Sequence, residues 1–183
     1  MLTPFLPDDA GELFAALDHD PVWEHVAGRP ESAAAYAAAL GEAPAQGRWP
    51  WVLRTLVPVG RAPAGAVVGT SSYLDVSLHD ARLEIGYTAY SPEVWASAVN
   101  PEAKLLLMGW AFDHGFGRVQ LKTDIRNLRS QRAVVGAGGV YEGVLRRYQR
   151  RGDGTVRDTV MFSVTAEDWP GVRRRLADRV QQS

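Results

Sequence analysis

Between Ala81 and Ile125 the chain reads ARLEIGYTAY, a loop, the apolar stretch PEAKLLLMGWAFDH, and then GRVQLKTDI. That is a strand, a helix and a second strand. If the two strands are neighbours in one sheet they run parallel, and the helical crossover between them is right-handed. The flanking texture differs. RWPWVLRTLV, GAVVGTSSYLDVSL and ARLEIGYTAY are β-branched or aromatic runs separated by VGRAPAG and the short LHDA turn, the pattern of an antiparallel meander. After the crossover, GVLRRYQRR and TVRDTVMFSV are joined by GDG, a hairpin signal. The expected fold is α+β: a mixed sheet, mostly antiparallel, with one parallel crossover and helices on its flanks, in a single domain over residues 1–183.

Helices are expected after Asp8, through Leu13, Phe14 and Leu17; in ESAAAYAAALG, ending on Gly41; from about Pro101 to His114; from about Asn127 to Val135; and from Trp169 to Val180. Alternation places Leu83, Ile85 and Tyr87 on one face of their strand and Glu84 and Gly86 on the other. Trp110, Phe112 and Leu105 to Met108 are expected in the core. One parallel pair inside such a sheet predicts a ligand crevice at the carboxyl end of the strand that finishes near Tyr90.

Composition narrows the chemistry. The chain has no cysteine, which removes thiolate metal sites and thiol nucleophiles and fits a cytoplasmic protein. Its net charge of -1 lacks the basic excess of a nucleic-acid module, so LRRYQRR and Arg173 to Arg175 read as solvated faces. His19, His25, His79 and His114 stand singly without ligand spacing, so no metal is expected. The opening MLTPFLPDDAGELF has no basic region ahead of an apolar core, and no apolar run approaches the roughly 18 residues of a membrane span.

The loop VWASAVNPEAK enters the crossover helix at the crevice. Asn100 is a preferred N-cap, Pro101 suits the first helical position and Glu102 favours the positive end of the helix dipole. Ala96, Ser97, Ala98, Val99 and Asn100 then lie where backbone N–H groups have no intrahelical partner, behind side chains small enough to let an anion approach. Spacing alone admits two readings: an ordinary capped turn, or an anion cradle without the usual glycines.

The run LEIGYTAYSPEVWASAVNPEAKLLLMGWAF, then RVQLKTDIRNLRSQRAVVGAGGVYEGVLRR, then GTVRDTVMFSVTAEDWPGV closely resembles the GNAT N-acetyltransferases, in particular the group related to the Rim-type ribosomal-protein N-terminal acetyltransferases. The resemblance extends from about Gly65 to Val172 and rests on EIGY, N-x-E-A-K, N-x-x-S-x-R, EGVLR and RD in order. It implies an acetyl-CoA site: pantetheine along the strand carrying Tyr87 and Thr88, and pyrophosphate on the Ala96 to Asn100 loop. Asn127 and Arg132 are implied to contact the cofactor, and Lys104, one turn into the helix, is a candidate for a phosphate. It also implies an amine acceptor, either a protein N-terminus or a small molecule, and a homodimer. The family's phosphate loop carries Gln or Arg and then glycines; here those positions are Glu93, Ala96 and Ala98, and a positive φ at Ala96 would be strained.

Acyl transfer from a thioester to an amine needs a base, an oxyanion donor and a proton for the departing thiolate. Glu84 is the candidate base, a backbone N–H near Tyr87 or Thr88 the oxyanion donor, and Ser130 the group facing the sulfur. A second carboxylate found in some relatives is Gln149 here. That departure, with Glu93 and Ala96, motivates the alternative of a catalytically weak acyl-CoA-binding module.

Overall fold

The computed structural model describes residues 1–26 and 28–182. Its centre is a seven-stranded sheet of β1 (Leu2–Pro4), β2 (Arg48–Arg54), β3 (Val67–Ser77), β4 (Arg82–Tyr90), β5 (Arg118–Asp124), β6 (Val140–Arg150) and β7 (Val156–Thr165), in the order β1-β2-β3-β4-β5-β7-β6. All neighbours are antiparallel except β4 and β5, as the crossover requires. The three-residue β1 escaped the sequence pattern because it is too short to alternate; it is held by pairing with β2 from Leu2 opposite Leu53 to Pro4 opposite Trp51.

The helices are α1 (Ala10–Leu17), α2 (Asp20–Trp23), α3 (Ala33–Gly41), α4 (Val99–Asp113), α5 (Leu128–Gly136) and α6 (Trp169–Gln181). One sheet face carries α1 to α3, where Leu13, Leu17, Val22, Tyr36 and Leu40 pack on Val52, Val67 and Ala89. The other carries α4 and α6, whose Leu107, Met108, Trp169, Val172 and Leu176 pack on Leu83, Ile85, Val119 and Phe162. Fully burying each such side chain contributes roughly 1.5–3 kcal/mol, so these two layers hold the sheet between them.

Two expectations about local structure need correction. Trp110 and Leu106 are not core: they are 44% and 45% exposed, and Trp110 stacks between Tyr73 and His114, with centroid distances of 5.4 and 4.2 Å. Nor does Tyr87 share the face of Leu83 and Ile85. Tyr87 and Thr88 together oppose the single residue Ser71, because Thr70 pairs with Ala89 and Ser72 with Gly86. This bulge gives Tyr87 a φ of 48° and turns its ring onto the α1–α3 face, where Arg48 lies 4.2 Å from the ring centroid.

The parallel pairing of β4 with β5 is also short. It runs only from Arg82, Leu83 and Glu84 opposite Arg118, Val119 and Gln120. Beyond Glu84 the strands part, and the bulge in β4 adds bend at the same point.

Candidate active site

The gap between the diverging strands opens into a cleft of about 900 Å³. Its walls come from β4, the loop into α4, the start of α5 and the β6–β7 hairpin. Glu84, Tyr87, Thr88, Ala96, Ser97, Asn100, Lys104, Asn127, Ser130 and Arg132 all line it; Ala98 and Val99 do not. Glu93 is exposed and outside the lining, so its carboxylate does not face the cleft. Gln149 is part of the wall.

The helix behind the loop starts earlier than its capping residues suggest. α4 begins at Val99 with Ala98 as N-cap, and Asn100 lies within the first turn, its Oδ1 accepting from the Tyr90 hydroxyl at 3.1 Å. Ser97 takes over the local capping: its Oγ donates to Val94 O at 2.6 Å and accepts from Val99 N at 3.3 Å. Among the described residues, the N–H groups of Ala96, Ala98 and Asn100 have no protein acceptor. Ala96 adopts a φ of 59°, the left-handed conformation that glycine would enter without strain. A turn with unpaired N–H groups at alternate residues ahead of a fifteen-residue helix is a fit for a phosphate or pyrophosphate, whose charge the helix dipole also favours.

On the opposite wall, Glu84 is buried at the point where β4 leaves β5. Its Oε2 receives Lys122 Nζ at 2.7 Å and Gln120 Nε2 at 3.2 Å. Its Oε1 has no hydrogen-bond donor among the described residues and lies over Gly86, 2.8 Å from where a Cβ would stand. Gly86 thus leaves the space that this oxygen uses. Burial pulls the Lys122 ammonium down, but Glu84 and Tyr148 more than offset that, leaving its pKa above the ordinary value. Glu84 is therefore an internal carboxylate with one oxygen tied and one free.

Lys104 is buried under α4 and donates to Thr88 Oγ1 at 3.1 Å, and Thr88 is itself 2.7 Å from Ser71 Oγ. Burial lowers its pKa to about 7. Asn127 caps α5 by accepting from Ser130 N at 2.9 Å, which ties the two candidate residues together at the cleft. Arg132 donates to Leu128 O at 3.3 Å and is otherwise exposed.

The sequence pattern did not single out Lys122, Asp124 or Arg48, and it read Arg151, within LRRYQRR, as part of a solvated face, whereas its side chain is largely buried. Alternation with the parallel register puts Gln120 and Lys122 on the face of Glu84, so that signal was present for Lys122. Arg151 grips buried Asp124 with two bonds of 2.6 and 3.0 Å, a contact across the hairpin that no local motif announces. Although burial pushes the Asp124 carboxyl up, Arg151 and the Arg126 N–H hold it below its ordinary range.

A sheet splayed around a bulged strand, with unpaired backbone N–H groups beside one wall of the gap and a buried carboxylate on the other, has the architecture of an acyltransferase. The chain belongs to the GNAT acetyltransferases: residues 1–140 match the model of the acetyltransferase (GNAT) domain, and the protein is an N-acetyltransferase of that family. It is 35% identical to a protein of T. thermophilus classed as an acetyltransferase, over 98% of this chain and 92% of the other, with a TM-score of 0.84. Two more distant structures share the fold. Mycobacterium smegmatis RimJ in complex with CoA-disulfide is 22% identical (97% of this chain, 88% of the other, TM-score 0.78). Vibrio cholerae spermidine N-acetyltransferase in complex with CoA and spermine is 11% identical (93% and 97%, TM-score 0.74). No curated protein sequence matches the chain significantly. Among the described residues no helix is long and apolar enough to cross a membrane, and no cluster of three or more His, Asp or Glu side chains forms.

Proposed function

We propose that the chain, acting as one catalytic domain, moves the acetyl group of acetyl-CoA to a primary amine, on a protein N-terminus or a small molecule, by direct attack. The observation that carries this reading is the joint placement, in one cleft, of Ala96 and Asn100, whose backbone N–H groups are unpaired, and of Glu84 with its free Oε1. Acetyl-CoA supplies the acyl group as an activated thioester. The backbone of Ala96 to Asn100 holds its pyrophosphate, with Arg132 and Lys104 as the cations beside it, and the edge of β4 at Tyr87 and Thr88 lies along its pantetheine arm.

Glu84 Oε1 takes a proton from the incoming ammonium, directly or through water, and so generates the neutral nucleophile. The amine nitrogen bonds to the acyl carbon, and a backbone N–H of the bulge stabilises the oxyanion. The oxyanion then collapses, the carbon–sulfur bond breaks, and the proton that the attacking nitrogen sheds on becoming an amide passes to the thiolate. Ser130 orients that sulfur, since a serine hydroxyl is too weak an acid to act alone.

Calorimetric titration with acetyl-CoA, followed by thiol release over a panel of small amines and N-terminal peptides, tests this reading. Saturable binding and turnover with at least one amine are expected. Absence of acetyl-CoA binding would remove the donor assignment, and binding without turnover on any amine would remove the transfer.

A further inference from the structure

A second cavity, of about 330 Å³, adjoins the cleft on the α1–α3 face of the sheet. Trp23, Val26, Tyr87 and Ala89 border both spaces, so the β4 bulge is their common wall. The remaining wall is largely apolar, from Pro30 and the α3 residues Ala35, Tyr36 and Ala39, and its volume is at the low end for small-molecule sites.

Into this apolar setting the sheet contributes two polar groups without partners. Ser72 is 1% exposed and its hydroxyl makes no hydrogen bond. Arg48 stands on β2, and its buried Nε has no acceptor. Among the described residues no carboxylate lies within 4 Å of it, whereas Arg29, Arg54, Arg82, Arg118 and Arg151 all have one. Its guanidinium instead lies over the face of Tyr87. A partly buried guanidinium whose Nε is buried without an acceptor, beside a largely apolar cavity, is a group that an anion entering that cavity would satisfy.

We propose that Arg48 is the specificity-determining residue of the acceptor site, and that the acceptor is an amine carrying a carboxylate close to its nitrogen. This rests on the acyl-transfer reading above. The charge of Arg48 opposes a second cation, so polyamines fit this cavity poorly. One guanidinium fork and one hydroxyl match a carboxylate, with its two oxygens, better than a phosphate dianion. The carboxylate belongs either to a free amino acid or to an acidic side chain at a peptide N-terminus. The apolar wall accepts the rest of the molecule, with the amine left toward the bulge and Glu84.

Product binding tests this without turnover. The full chain is titrated with N-acetylphenylalanine, with N-acetylphenylalaninamide, and with the α-amide of N-acetylaspartate. Binding of at least one of the two acids tenfold or more tighter than the neutral amide is expected, and which acid prevails identifies the source of the carboxylate. Arg48→Met should abolish that preference while acetyl-CoA affinity stays unchanged, and Arg48→Lys should retain part of it. In turnover, Arg48→Met should raise KM for the preferred carboxylate-bearing amine with little change in kcat. Equal or undetectable binding of acids and amide by the wild-type chain overturns the inference, as does an acid preference that survives Arg48→Met. If the acids are preferred and yet no amine is acetylated, the carboxylate site stands and the transfer reading falls.

Discussion

Lys104 Nζ donates to Thr88 Oγ1 at 3.1 Å, and among the described residues no carboxylate stands within 4 Å of it. A buried ammonium with only a hydroxyl for company disfavours its own charge, hence the pKa of about 7 in place of 10.5. Below pH 7 both folded and unfolded chains hold the proton, so the folded state carries the full burial penalty. As the pH rises from 7 to about 10.5 the folded chain releases that proton while the unfolded chain keeps it, and stability climbs. Lys104→Met should therefore be more stable than the wild type at pH 6, by at most roughly 5 kcal/mol at about 1.4 kcal/mol per unit. The gap should narrow towards pH 9.5 in urea melts. A gap that does not change with pH would disprove the buried-ammonium account.

Glu84→Gln keeps the shape of the side chain and removes its capacity to take a proton. A loss of about 100-fold to 10,000-fold in kcat is expected, together with a changed acidic limb of the pH–rate profile. Steady-state thiol release across pH 5.5 to 9 (about half-unit steps) checks it, and an unaltered profile removes Glu84 as the base.

Gly86→Ala tests the same carboxylate without touching it. The new methyl would stand 2.8 Å from Glu84 Oε1, closer than real contacts allow, and a tight 3.1 Å from Leu74 Cδ2. Overpacking of this kind costs roughly 1–3 kcal/mol, and the side chain able to yield is Glu84. The variant should fold, with kcat at least about tenfold lower through the displaced base. Wild-type kcat in a folded Gly86→Ala protein would contradict the arrangement.

Arg151→Ala leaves Asp124, which is 2% exposed, without its bidentate partner. Removing one member of a buried pair costs about 3–5 kcal/mol, and Asp124→Asn in the Arg151→Ala background should recover part of that by removing the stranded charge. Because the folded-state pKa of Asp124 is lowered, its contribution is present above about pH 4 and is lost as the pH falls further. Denaturant melts of the single and double variants at pH 7 decide between this and independent effects.

Ala96 already occupies the left-handed region at a cost of roughly 1–2 kcal/mol. Ala96→Gly removes that strain but adds about 0.5–1 kcal/mol of backbone entropy on folding, so stability should stay within about 1 kcal/mol of the wild type. Ala96→Val, with a branched Cβ at positive φ, should lose about 1–3 kcal/mol and weaken acetyl-CoA binding. Thermal melts with and without acetyl-CoA distinguish the two variants.

The strand–helix–strand unit, the meander and the hairpin were legible because each rests on local periodicity or turn chemistry. The cleft followed from the topology of that unit. What local pattern could not carry was the bulge at Tyr87, since period-two alternation assumes that no residue is inserted. That insertion sends Tyr87 to the face of Arg48, and so the second cavity was invisible in the sequence. The start of α4 was misplaced for a related reason: Asn100 has the chemistry of a cap, but the Tyr90 hydroxyl engages its side chain and Ser97 caps in its place. Long-range pairs such as Asp124 with Arg151 leave no local trace at all.

The outermost strand, β6, has eleven residues, most of them exposed, among them Val140, Tyr141, Val144, Leu145 and Tyr148. A long apolar rim of this kind is a template for runaway strand addition between molecules. Here its register with β7 breaks twice, between Tyr141 and Gly143 and between Leu145 and Gln149. Arg147 turns to a φ of 51° with its N–H claimed by Asp158 Oδ1 at 2.7 Å. Three exposed arginines, Arg146, Arg147 and Arg150, crowd the same end. The kinks and the mutual repulsion of those cations make the rim a poor seed for fibre-like stacking, so the arginine cluster acts as a guard on the sheet's open border.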